Sequence, residues 1–99
     1  MSALLINVHN TFERGYMGNP VYFRWDANPE EDIAEYKLYA GRQSGVYTAN
    51  GSPKSMGNVT KGTFNCNESG KWFFALTVVK TNGLESSFSA EIASQFLVV

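Results

Sequence analysis

The chain has 99 residues, of which 43% are hydrophobic and 14% aromatic. This is enough apolar surface for one folded domain, residues 1–99, and it excludes a disordered segment. The eight basic residues are scattered and the formal net charge is −1, so the sequence lacks the clustered cationic face that nucleic-acid binding requires. No apolar run approaches the roughly 20 residues of a membrane span. The single cysteine, Cys66, excludes an internal disulfide.

Most of the predicted elements are β-strands, because apolar and polar residues alternate with a period of two. In chain order, the predicted strands span residues 3–8, 21–25, 35–40, 59–65, 71–80 and 90–98. The stretches between them are rich in Gly, Asn and Pro, which favour the turns between antiparallel strands. No segment has the period of a capped amphipathic helix. Short strands separated by such turns predict an all-β sandwich or barrel.

The alternation also predicts which side chains form the core. Odd positions of residues 21–25 and even positions of residues 71–80 should face inward. Burial of each large side chain contributes roughly 1.5–3 kcal/mol, so the predicted set is sufficient without a disulfide. It consists of Val21, Phe23, Trp25, Ile33, Tyr36, Leu38, Trp72, Phe74, Leu76 and Val78.

The connection between the first two predicted strands, residues 9–19, is long for a hairpin, in which about 2–5 residues are usual. It carries Phe12 and Tyr16. We expect such a loop to pack its own side chains or to contact a partner.

Three groups of residues carry a family pattern. The first comprises Trp25, Asp32-Ile33 and residues 36–41 (YKLYAG), and the second is the aromatic-rich run at residues 72–79 (WFFALTVV). The third, residues 82–89 (NGLESSFS), is similar to the Gly-x-Glu-Ser-x-x-Ser segment of bacterial and phage proteins. Together they resemble a fibronectin type III domain over residues 20–92.

This resemblance implies a seven-stranded antiparallel immunoglobulin-like β-sandwich. Members of the family usually have a Leu six residues before a Tyr whose hydroxyl closes the corner into the sixth strand, and here these positions hold Cys66 and Trp72. An indole can fill the core and donate from its N–H, but it does not accept a hydrogen bond as a phenol does. We expect Cys66 to be a small buried hydrophobic residue.

The residue inventory gives little support to catalysis or metal binding. His9 is the only histidine, no Gly-x-Ser-x-Gly motif is present, and Cys66 occupies an inward strand position where thiols are usually inert. One cysteine and one histidine do not make a zinc site. We therefore expect no enzymatic activity, no cofactor and no metal.

An acidic cluster follows Trp25, but its spacing does not match a calcium-binding loop. Calcium binding remains one interpretation, and the favoured one is that Asp32 caps local backbone amides while the other carboxylates stay solvated. The cluster consists of Asp26, Glu30, Glu31, Asp32 and Glu35.

The outward face of two neighbouring predicted strands is the main candidate for a binding surface. Residues 37 and 39 should lie beside residues 73–79 and form a semi-apolar patch where polar side chains are usual. Such a patch often marks a protein contact. The alternative is that the long loop at residues 9–19 or the C-terminal tail covers it. With the long loop and the C-terminal end included, the candidate interface residues are Lys37, Tyr39, Phe73, Thr77, Val79, Phe12, Tyr16 and Phe96.

Both ends of the chain are apolar, at residues 3–6 and 95–99. Free ends usually fray and tend to be polar. Apolar ends therefore predict strands that pair at a sheet edge or contact a neighbour, and an edge strand is a template for another chain. A homo-oligomer is one expected consequence.

The resemblance implies a non-catalytic structural or protein-binding module. Met1 and the absence of a recognisable secretion signal favour a stand-alone protein. The leading interpretation is a small phage virion component, a capsid decoration or tail accessory protein that is made in the host cytoplasm and docks on a repeating lattice of capsid or tail protein. The alternative is a cell-surface or carbohydrate-associated bacterial module excised from a longer protein, with Tyr39 and Phe73 stacking on sugar rings.

Overall fold

The computed structural model describes residues 6–9, 19–66 and 68–96, with only the backbone for residues 6–9, 19 and 95–96. All regular secondary structure within these ranges is β-strand. The strands are β1 (Ile6–His9), β2 (Asn19–Trp25), β3 (Ile33–Gly41), β4 (Lys54–Gly57), β5 (Lys61–Cys66), β6 (Gly70–Lys80) and β7 (Ile92–Phe96). The same ranges contain no helix that is long and apolar enough to cross a membrane.

The strands form two antiparallel sheets, with the strand orders β1-β2-β5 and β4-β3-β6-β7. In the second sheet β3 pairs with β6 from Ile33, opposite Lys80, to Gly41, opposite Phe73. β7 pairs only with the first half of β6, from Gly70 to Phe74. The predicted all-β fold with antiparallel pairing is therefore confirmed.

One strand, β4, has no counterpart among the predicted strands. Its sequence, Lys-Ser-Met-Gly, has a single large apolar residue, Met56, so no alternation is visible. The strand forms through its pairing with Tyr36, Lys37 and Leu38 of β3. Residues 3–5 of the first predicted strand and most of the connection after it, with Phe12 and Tyr16, lie outside the described residues.

The two sheets pack face to face across one core, because inward side chains from both meet in direct ring contacts. Phe23 on β2 packs edge-on against Phe74 on β6, with ring centroids 4.8 Å apart. Trp25 lies 5.6 Å from Tyr36 on β3. The predicted core is confirmed, since all of its members are buried except Ile33, which packs partly buried against the cluster. Ala40, Phe64 and Cys66 complete it.

Trp72 closes the corner into β6 by donating a hydrogen bond from its indole N–H. Its N–H donates a hydrogen bond to the carbonyl of Glu68, 2.9 Å away and four residues upstream. The Arg42 guanidinium lies 5.0 Å from the centre of the indole and donates to the carbonyls of Ser69 and Lys71, which holds the turn against β3. Cys66 is fully buried, and burial raises the pKa of its thiol to about 12, so it acts as a core residue.

Candidate interaction surface

The residues of the predicted binding surface are neighbours in the β3–β6 ladder. Lys37 lies opposite Thr77, and Tyr39 lies opposite Ala75. The prediction that these two strands share one outward face is therefore confirmed. What differs from the prediction is the exposure of that face.

Three residues of β6 that were expected to be exposed are buried. Ala75 is 0% exposed, Thr77 2% and Val79 9%, whereas Phe73 is half-buried and its ring lies 5.9 Å from the Lys71 ammonium. The expectation of an apolar stripe along β6 is thus corrected. Residues 84–91 lie along β6, and Glu85 pairs with Val79 and accepts a hydrogen bond from Thr77 on this face. Phe12 and Tyr16 are outside the described residues, and only the backbone of Phe96, at the end of β7, is described.

Two serines fix residues 84–91 to the edge of β6. The backbone N–H of Ser86 donates to the carbonyl of Val78, and its hydroxyl accepts from the N–H of Val78, both at 2.9 Å. Ser89 makes the same pair of bonds with Leu76, at 2.8 and 2.9 Å. A side-chain hydroxyl thus takes the place of the backbone carbonyl that a regular strand would present.

The serines also set the direction of the side chains between them. Ser86 opposes Val78 and Ser89 opposes Leu76, so the segment advances three residues while β6 advances two. A regular strand would alternate its side chains every two residues. Here the period is three, and Glu85, Phe88 and Glu91 all contact residues on the outer side of the sheet or the hairpin that follows β3.

Glu85 crosses the outward face of β6. Its carboxylate accepts a hydrogen bond from the Thr77 hydroxyl at 2.7 Å and another from the Tyr39 hydroxyl. The Lys37 ammonium lies 4.0 Å from the same carboxylate. These contacts join three of the predicted interface residues, Lys37, Tyr39 and Thr77, into one network.

Glu91 binds the hairpin that follows β3. Its carboxylate accepts hydrogen bonds from the Tyr47 hydroxyl at 2.6 Å, from the Gly45 N–H at 2.7 Å and from the Ser44 hydroxyl. Among the described residues it has no ion-pair partner.

Phe88 lies between Glu85 and Glu91 in the chain and packs edge-on against two tyrosines. Its ring centroid is 4.9 Å from that of Tyr39 and 5.0 Å from that of Tyr47, at interplanar angles of 84° and 67°. The Phe88 side chain nevertheless remains 46% exposed. We call Tyr39, Tyr47 and Phe88, with the flanking Glu85 and Glu91, the aromatic surface.

The protonation of the aromatic surface follows from its burial and its hydrogen bonds. Burial, together with the hydrogen bonds to Glu85 and Glu91, raises the pKa values of Tyr39 and Tyr47 to about 12. Burial also raises the pKa of Glu85, but the hydrogen bonds from Tyr39 and Thr77 and the nearby ammonium outweigh it and leave that pKa below its usual value. The hydrogen bonds from Ser44 and Tyr47 lower the pKa of Glu91. Both carboxylates are therefore ionised at neutral pH.

Other features of the described residues offer less chemistry. No group of three or more His, Cys, Asp or Glu in these ranges can hold a metal ion. In the acidic cluster, Glu30 pairs with Lys80 at 3.2 Å. A depression of about 230 Å³, lined by Arg42, Gln43, Val46, Thr48 and Ala49, is smaller than the roughly 300–1,000 Å³ that is usual for small-molecule sites.

Four members of the aromatic surface are absent from the sequence-based candidates: Tyr47, Glu85, Phe88 and Glu91. The signal that would have found three of them is a spacing of three, in which Ser86 and Ser89 alternate with Glu85, Phe88 and Glu91. A search for periods of two or 3.6 does not detect this pattern.

Comparison with known proteins gives no match to a protein-family model and no match to a curated protein. The contacts described above and the sequence motifs therefore carry the functional argument.

Proposed function

We propose that this chain is a non-catalytic, seven-stranded fibronectin type III-like module that binds another protein, and that it is a small virion component of a phage. The observation that carries the binding role is the aromatic surface, where an exposed ring is held by two tyrosines and flanked by carboxylates. Tyrosine and phenylalanine are enriched at protein interfaces.

The strand order supports the family assignment. In a constant-type immunoglobulin domain the fourth strand joins the sheet of the first, second and fifth strands. Here β4 pairs with β3 in the other sheet. This arrangement of three and four strands favours a fibronectin type III-like module.

The family motifs also have structural roles that support the assignment. Trp25 and Trp72 lie in the core, and the Trp72 N–H closes the corner into β6. Ser86 and Ser89 belong to the segment similar to bacterial and phage members. They pair with β6 at Val78 and Leu76, beyond the stretch of β6 that pairs with β7. That segment also supplies two side chains of the aromatic surface, Glu85 and Phe88.

The proposed partner is a capsid or tail protein in a repeating lattice, where many weak contacts add up to stable attachment. The virion is then the site of action. Self-association through the apolar ends of the chain stays a prediction, and a dilute monomer in size-exclusion chromatography at low salt would contradict it.

The alternative is a carbohydrate-associated module at a bacterial surface. One observation favours it: the exposed ring of Phe88 packs against Tyr47, whose hydroxyl donates to the carboxylate of Glu91. Such a combination can stack on a sugar ring and bind its hydroxyl groups. In this version Phe88 and Tyr39, rather than Phe73, would make the stacking contact.

Two experiments separate these functions. Co-sedimentation of the purified chain with assembled capsids or tails of the encoding phage should give saturable binding, with a fixed number of copies per lattice unit, while a glycan array stays blank. Array signals without co-sedimentation would favour the carbohydrate module and contradict the virion role. Genes for capsid or tail proteins should also flank the coding sequence.

A further inference from the structure

The aromatic surface is more acidic than the chain as a whole. Three carboxylates act on it: Glu85 and Glu91 accept hydrogen bonds from its tyrosines, and the charge of Glu35 acts on Tyr39. Lys37 is the one ammonium paired with them in the described residues. The local excess of negative charge exceeds the net charge of −1 of the entire chain.

The two carboxylates differ in their capacity for a further partner. Glu85 already has an ammonium 4.0 Å away. Glu91 accepts three hydrogen bonds from neutral donors, whereas a carboxylate has about four acceptor sites. It also has no ion pair among the residues that the structure describes. Glu91 therefore keeps a full negative charge and room for one more donor.

Phe88 and Glu91 are three residues apart in the chain, and both contact Tyr47: the exposed ring of Phe88 packs against the tyrosine ring, and the Glu91 carboxylate accepts a hydrogen bond from its hydroxyl. An aromatic face attracts a cation, and a guanidinium can stack flat on a ring while one of its N–H groups donates to a carboxylate. A lysine ammonium offers only a point charge. The chemistry thus favours an arginine over a lysine.

We infer that the aromatic surface is the face through which the module docks, and that it receives an arginine side chain of a partner protein, stacked on Phe88 and paired with Glu91. This rests on the proposed function and names its contact face and the chemistry of its partner. Phe88 and Glu91 are held in place before binding by Tyr39, Tyr47 and the two serine contacts with β6, so little side-chain entropy is lost on docking.

The test is an NMR titration of the ¹⁵N-labelled chain with a short synthetic peptide, acetyl-Gly-Ser-Arg-Ser-Gly-amide. A matched peptide has citrulline, which is neutral and nearly isosteric, in place of the arginine. We expect the arginine peptide to shift the amide signals of Tyr47, Phe88 and Glu91, and the citrulline peptide to leave them unchanged. Raising the salt concentration should weaken the shifts, because the contact is exposed and ionic.

Two variants measure separately how much the aromatic ring and the negative charge contribute to binding. Phe88→Leu keeps an apolar side chain without an aromatic face, and Glu91→Gln keeps the shape without the charge. Each variant should lower the affinity for the arginine peptide by about 2–5-fold, which is the range expected from exposed cation–π and ion-pair contacts. Val59→Ala, at an exposed apolar residue between β4 and β5, is the control and should bind like the wild type.

Several results would overturn the inference: no shifts with either peptide, equal shifts with both, or full binding by both variants. Shifts at the same residues with a disaccharide such as cellobiose, and none with arginine, would assign the surface to carbohydrate instead. The titration is independent of the capsid experiment. If the chain co-sediments with capsids but does not bind the arginine peptide, the proposed function stands and this contact face is wrong.

Discussion

Removal of the Ser89 hydroxyl tests how residues 84–91 are attached to the sheet. The hydroxyl accepts the hydrogen bond of the Leu76 N–H at 2.9 Å, and both residues are buried, with exposures of 7% and 0%. In Ser89→Ala the backbone bond from Ser89 to the Leu76 carbonyl remains possible, but the N–H of Leu76 loses its acceptor.

The expected cost follows from that unpaired group. A buried donor left without a partner costs about 1–3 kcal/mol, which is a large part of the roughly 5–15 kcal/mol that stabilises a typical domain. With a urea dependence of about 1–3 kcal/mol per molar, the midpoint of equilibrium unfolding should fall by roughly 1 M. Ser87→Ala, at an exposed neighbouring position, should change stability by less than about 0.5 kcal/mol.

Amide hydrogen exchange locates the effect. In Ser89→Ala the protection of the Leu76 amide should fall more than that of the amides of β2, because its own hydrogen bond is missing in the folded state. Equal stability of the Ser89→Ala and Ser87→Ala variants, or unchanged protection at Leu76, would refute the attachment of this segment through its hydroxyl groups.

Three further predictions concern titration and packing. Because the pKa values of Tyr39 and Tyr47 are raised to about 12, their contribution to stability is complete below pH 10 and is lost as the pH rises towards 12. Absorbance at 295 nm should show that Tyr39→Phe and Tyr47→Phe each remove one late-titrating phenol, and loss of a phenol with a midpoint near 10 would contradict this. The pKa of Glu91 is lowered from 4.5, so its contribution to stability is present above pH 4.5 and is lost as the pH falls below it. In urea unfolding, Glu91→Gln should therefore lose less stability than the wild type between pH 7 and pH 3.5. Equal losses would contradict the hydrogen-bonded carboxylate. In Gly41→Ala the new Cβ would overlap the Val46 carbonyl, so thermal unfolding should show a destabilisation of about 1–3 kcal/mol, and an unchanged melting temperature would contradict that close approach.

The fold was largely predictable because its core uses a period of two. The alternation of Val21, Phe23 and Trp25 on β2 and of the even positions on β6 reports burial on one face directly. β4 was not predictable in this way, since backbone pairing with β3, rather than its own side chains, determines it. Local patterns contain no information about such a partner.

The candidate site was predictable only in part, for a related reason. Tyr39 and Lys37 were found because they alternate with the core residues of β3. Thr77 and Val79 show the same alternation on β6, but Glu85, from a later part of the chain, contacts both of them. The segment is neither a regular strand nor a helix, and its period of three arises from the hydroxyl contacts of Ser86 and Ser89.

The most direct test of binding through the aromatic surface is co-sedimentation of Phe88→Ala with capsids or tails that bind the wild-type chain. Phe88 is 46% exposed, so the variant should stay folded, unlike Phe74→Ala, which removes a fully buried ring at a cost of about 3–5 kcal/mol. The expected result is a folded Phe88→Ala chain whose binding is several-fold weaker than that of the wild type. A folded variant that binds as well as the wild type would contradict the assignment of this face.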